Sequence, residues 1–129
     1  MNGATPQLPT ELAGEEVLFR ALRTSAEQKD KRWAFLLRST ERDSGLSVSY
    51  NCTADDCENE LKKSYGVLSV IARQVKALRL RVVPDRPTHA NIEGLPHEKD
   101  DPDNAMFMAG QLSGLAVTVR EGLRHRPER

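Results

Sequence analysis

Leu46-Ser47-Val48-Ser49-Tyr50 alternates apolar and polar side chains with a period of two. Successive side chains of an extended chain point to opposite faces, so this stretch reads as a half-buried strand. Ser39 to Gly45, just before it, is polar and ends in glycine, as a hairpin connection does. It would join the strand to a second apolar run, Trp33 to Arg38. Further upstream, Val17 to Leu22 is a first run whose six residues suit a strand or a short helix equally. Thr24 to Arg32 is polar and reads as a surface turn.

Downstream, Thr53 is placed to cap a helix, with Asp56 in the capping-box position. Cys57, Leu61 and Tyr65 recur at helical spacing, which predicts a helix that Gly66 stops. Val67 to Val70 suits a small strand, and Ile71, Val75 and Leu78 suit a short helix. Arg79 to Val83 alternates again and closes at Pro84-Asp85. Pro87 to Gly94 reads as its partner strand, with Ala90 and Ile92 inward and His89, Asn91 and Glu93 on the other face.

The strongest helical pattern follows the acidic loop Pro96–Asn104. Asp101 can cap and Pro102 suits the first helical position. Ala105, Met108, Ala109, Leu112, Ala116 and Val119 then recur at three and four, predicting a buried face on a helix from about Asp103 to Glu121. The fold class expected is α+β: a mostly antiparallel sheet packed on one face by this C-terminal helix, with one or two shorter helices.

The chain of 129 residues suits one domain, expected over 15–122, between a flexible N-terminal arm (1–14) and a basic C-terminal tail (123–129). Nineteen Lys and Arg balance nineteen Asp and Glu, which argues against a polyanion-binding domain, so nucleic acid is not an expected partner. No apolar run approaches the ~20 residues of a membrane span, and no membrane partner is expected. The first residues lack the basic start and apolar stretch of an export signal, so a cytoplasmic location is expected. Cys52 and Cys57 have no zinc-type spacing with His89, His97 or His125, and no metal is expected.

Phosphate loops, Cys-x-x-Cys pairs, His-Glu-x-x-His and Gly-x-Ser-x-Gly elbows are absent. Three constellations remain. His89 and Glu93 share a strand face, where an imidazole and a carboxylate suit general acid–base work in a hydrolase. Arg73, Lys76, Arg79, Arg81 and Arg86 form a basic stretch suited to a protein carboxylate surface. No aromatic interleaves with these bases to stack on nucleobases.

Arg20, Ser47-x-Ser49 and Glu93 form the third. In order and residue type these four resemble the arginine, serine-x-serine and glutamate of ADP-ribosyltransferase-like domains. The resemblance implies NAD as cofactor, with Arg20 on its phosphates, a serine ordering the site and Glu93 orienting the ribose. With no strong catalytic motif, the expected function is a protein-interaction or accessory module that docks another chain or a second copy. The alternative is an enzyme built on Arg20, Ser47, Ser49, His89 and Glu93.

Overall fold

A computed structural model describes residues 8–126; residues 1–7 and 127–129, the outer parts of the expected arm and tail, lie outside the described residues. The elements run β1 (Val17–Ala21), α1 (Ser25–Lys29), β2 (Leu46–Ser49), α2 (Ala54–Asn59), β3 (Lys63–Ile71), α3 (Ala72–Ala77), β4 (Arg81–Arg86), β5 (His89–Glu93), α4 (Pro102–Leu115) and β6 (Val117–His125). Short 3-10 turns at Lys31–Phe35 and Ser39–Glu41 carry the chain between α1 and β2. The strands form one six-stranded sheet, ordered β4-β5-β2-β1-β3-β6, with every pairing antiparallel.

Period-two burial gives the sheet an inner face of Leu18, Leu46, Val48, Leu68, Val70, Val82 and Ile92. Ala105, Ala109 and Leu112 of α4 close the core over this face, together with Phe35 and with Val75 of α3. On the opposite face, α2 packs against β1 and β3 and buries Cys57 beside Ser49. The α+β expectation and the antiparallel sheet are therefore what the molecule has.

Both helix starts expected from sequence form as read. Thr53 and Asp56 make a reciprocal capping box, and the Asp101 side chain accepts from Asn104 N–H ahead of Pro102. The helix ends differ. α4 stops at Leu115, not Glu121, and Val119 is exposed in β6 instead of buried. Val117-Thr118-Val119 places β-branched side chains together, which favours a pleated strand paired to β3 over another helical turn. The helix expected to carry Tyr65 ends at Asn59, and Tyr65 lies in the nine-residue β3.

Gly66 marks a bulge there. Its φ is +141°, and a Cβ would sit 2.8 Å from the Arg120 carbonyl of β6. Trp33–Arg38 forms no strand; its first three residues lie in a 3-10 turn. Arg79 also falls outside β4, in a left-handed turn at φ +66°.

Two segments assigned from sequence to the ends enter the fold. Leu12 is buried and donates its N–H to the Val82 carbonyl on the outer edge of β4. Leu123 to His125 continue β6, pairing as far as Lys63 with His125. Leu112→Ala removes a fully buried side chain from α4 and is expected to cost about 2–5 kcal/mol. Val119→Ala on exposed β6 should stay within about 0.5 kcal/mol. Urea denaturation of both variants checks this; equal losses would mean that α4 continues through Val119.

Candidate functional site

β1 and β2 are joined by a single bridged pair, Phe19 with Ser49. At Ser47 a buried ion pair stands where further ladder bonds would be. Arg20 Nη1 donates to Glu41 Oε2 at 2.6 Å and Nη2 to Oε1 at 3.1 Å. Arg20 Nη1 also donates to the Ser47 carbonyl at 2.8 Å, and Nε to that of Ala34 at 2.8 Å. Glu41 in turn accepts the backbone N–H groups of Ser47 at 2.9 Å and Arg38 at 2.8 Å. Both backbone groups of Ser47 are thus held by one salt bridge, and neither is left unsatisfied. Burial alone would raise the Glu41 pKa, but the hydrogen bonds and charge of Arg20, with those two backbone donors, hold it down at about 2.

The Ser47 side chain points to the opposite face. Its Oγ lies 2.5 Å from His89 Nε2, across a diagonal of the β2–β5 ladder in which Ser47 faces Asn91 and Ser49 faces His89. His89 Nδ1 lies 2.6 Å from Asp85 Oδ1. Asp85 is the extra residue where the β4–β5 register slips between Pro84 and Arg86, and this bulge turns its carboxylate toward the imidazole. Asn91 Nδ2 steadies the other oxygen, Oδ2, at 3.2 Å. Partial burial raises the Asp85 pKa, but the bonds from His89 and Asn91 outweigh it and keep Asp85 below the ordinary aspartate value.

These contacts fix the tautomer of a neutral imidazole. An ionised carboxylate only accepts, so Nδ1 carries the proton toward Asp85. Nε2 is then the bare nitrogen, and the Ser47 hydroxyl donates to it. Hydroxyl, imidazole and carboxylate stand in the relation of a serine nucleophile, its general base and the group that orients the base. Ser47 also lines a cleft of about 120 Å³, with Phe19, Arg23, Arg38, Cys57 and Glu60 among its other walls.

The expected sites divide accordingly. Arg20 lies on the inner face, buried and engaged with Glu41, whereas Glu93 lies on the outer face against Arg81 at 3.5 Å. Opposite faces of a sheet cannot hold one NAD between Arg20 and Glu93, so the transferase arrangement and its NAD site are not formed. Ser49 is buried beside Cys57 and does not reach His89. Ser47 and His89 do converge, but the acid that completes them is Asp85 and not Glu93.

The basic stretch is not one patch. Arg73 pairs with Glu15, Lys76 with Glu11, Arg81 with Glu93 and, at 4.0 Å, Arg86 with Asp85. Asp85 was legible only as an acid four residues before His89 across a Pro-Thr turn. Among the described residues, no group of three or more His, Cys, Asp or Glu is arranged to hold a metal.

Glu41 links this geometry to pH. Its pKa falls on folding from the usual 4.5 to about 2. That stability, about 3 kcal/mol, is fully present above pH 4.5 and is lost as pH falls toward 2. Glu41→Gln should cost about 3–5 kcal/mol near neutrality, because it leaves the Arg20 charge buried without a partner. The gap in melting temperature between wild type and variant should narrow as pH falls from 4.5 to 2; a constant gap would refute the role given to Glu41. Comparisons with protein-family models, curated proteins and solved structures found no match to the chain.

Proposed function

We propose that the protein is a small serine-dependent hydrolase acting on esters, with Ser47 as nucleophile, His89 as general base and Asp85 as the residue that positions His89. The observation that carries this reading is the continuous relay Ser47 Oγ–His89–Asp85, with contacts of 2.5 and 2.6 Å. In the first step Ser47 Oγ attacks the acyl carbon while His89 Nε2 takes the hydroxyl proton. The C–O bond to the leaving alcohol breaks, and His89 returns the proton to that oxygen. A water, deprotonated by His89, then attacks the acyl-Ser47 ester. Its products are the free acid and the regenerated hydroxyl.

The backbone N–H of Ser47 is committed to Glu41, so it takes no part in holding the oxyanion. General-base assistance then supplies the larger share of the rate, about 10²–10⁴-fold. Both cysteines are free, which suits a reducing cytoplasmic compartment. No helix among the described residues is long and apolar enough to cross a membrane.

Incubation with a fluorophosphonate probe followed by peptide mass mapping tests the relay. The adduct is expected on Ser47, with none in Ser47→Ala. His89→Ala should slow labelling by about 100-fold or more, and Asp85→Asn should slow it measurably. Labelling that survives in His89→Ala at the native rate would sink the reading.

A second reading, a docking module for another chain or a second copy, is favoured by a different observation. β6 is an edge strand that leaves Val117, Val119 and Leu123 exposed, and a bare apolar edge is a template for strand addition. Light scattering after size exclusion should then show a dimer or a bound partner that Val119→Lys disperses. A strict monomer with no co-purifying chain counts against it.

A further inference from the structure

The cleft beside Ser47 has a chemistry of its own. Three arginines line it, Arg20, Arg23 and Arg38. Arg20 is neutralised by its two-pronged contact with Glu41. Arg38 is held more loosely, 3.4 Å from Glu27 and 3.7 Å from Glu41. Arg23 is exposed, and among the described residues no carboxylate lies within ion-pair distance of its guanidinium. The lining carboxylate, Glu60, is exposed and belongs to the Cys57 wall, where it helps push that thiol up to about 11 after burial has done most of it.

Positive charge is therefore in surplus on the arginine wall. The Arg38 pKa answers mainly to burial and only secondarily to its arginine neighbours. Burial first, then the like charge of Arg20, lowers it to about 10 against the pull of Glu27 and Glu41, and Arg23 adds to the lowering. A volume of about 120 Å³ is close to the roughly 150 Å³ of a cavity that admits one benzene-sized molecule. That is room for an oxyanion and a short stem, but not for a nucleotide.

We infer that the substrate of Ser47 carries a small oxyanion, a carboxylate or phosphate two or three bonds from the scissile acyl carbon, which the forks of Arg23 and Arg38 receive. Guanidinium forks match both anions, and the partly closed walls strengthen the pairing relative to open water. Ser47 lines this cleft and also touches His89, so an anion seated there brings the adjoining acyl carbon to the nucleophile. The Phe19 and Leu61 side of the cleft suits the stem between anion and ester. This inference rests on the hydrolase reading for its chemistry, but its binding half stands apart from catalysis.

Two measurements keep those halves separate. In the first, hydrolysis of 4-nitrophenyl acetate is compared with that of mono-4-nitrophenyl succinate. The anionic ester should be favoured roughly tenfold or more in kcat/KM. That ratio should fall toward unity in Arg23→Ala. It should fall also in Arg38→Lys, which keeps a cation for Glu27 and Glu41 but loses the planar fork.

In the second, succinate and inorganic phosphate are titrated into Ser47→Ala protein and followed by amide NMR. Saturable millimolar shifts centred on Arg23, Arg38 and position 47, lost in the Arg23→Ala double variant, are expected. The two titrants tell a carboxylate-bearing substrate from a phosphorylated one. Ester turnover that depends on Ser47 but shows no anion preference overturns the inference and leaves the hydrolase standing. Anion binding without Ser47 labelling overturns the hydrolase reading, and with it the substrate claim, while keeping the cleft. No saturable shift with either anion overturns the inference outright.

Discussion

The bond between Arg20 and Glu41 organises the centre of this sheet. Elsewhere the strands are laced by longer antiparallel ladders, two of them bulged, but β1 and β2 share one bridged pair. Next to it, a guanidinium and a carboxylate from outside the ladder take the hydrogen bonds of Ser47 that a neighbouring strand would have made. Burying two charges is costly in general and is offset only when geometry is good and every lone pair and proton is used. Glu41 meets that condition by accepting from Arg20, Arg38 and Ser47, and Arg20 by donating also to Ala34. Three separate segments, β1, the turn at Ser39–Glu41 and β2, are thereby held in one register.

The arrangement has consequences on both faces. On the inner face it fills the space beside Leu18 and Val48 with a satisfied polar cluster, and among the described residues no buried side-chain polar atom lacks a partner. On the outer face it holds the Ser47 backbone still while the side chain meets His89. The proposed hydrolase would thus have its nucleophile on a rigid strand, its base on the adjacent strand and its orienting acid on a bulge, a site without long loops. The same commitment keeps the Ser47 N–H bonded to Glu41 and closed to any ligand.

On the far side of the sheet, β6 is held by its ladder to β3 and by ion pairs to α2. Arg120 and Arg124 reach across to Glu58, a buried carboxylate on α2 that also accepts from the Ser64 hydroxyl. The apolar side chains of β6 contribute little burial, since Val117, Val119 and Leu123 are all exposed. Its position therefore depends on the β3 ladder and on side chains of α2 more than on the core, and that is why periodicity in β6 is a poor guide to burial.

What the sequence determined by itself is the set of features written in local physics. Thr53 and Asp101 cap helices because the bond from a side chain to N–H three residues on needs no distant partner. The period-two pattern of Leu46–Tyr50 and of His89–Glu93 placed apolar residues inward and His89 outward, as found. Tertiary structure decided everything that depended on which strands are neighbours. Whether residues 117–125 continue a helix or form a strand was settled by the edge that β3 offers them, since their apolar spacing fits both periods. Ser47 and His89, forty-two residues apart, meet because β2 pairs with β5, and Asp85 joins them because a bulge adds one residue to β4. Arg20 stood out only through the resemblance to ADP-ribosyltransferase-like domains, yet the parity of β1 turns it inward, where an arginine persists only by finding a carboxylate. Glu41, in a short polar turn, carries no local sign that it will be that carboxylate.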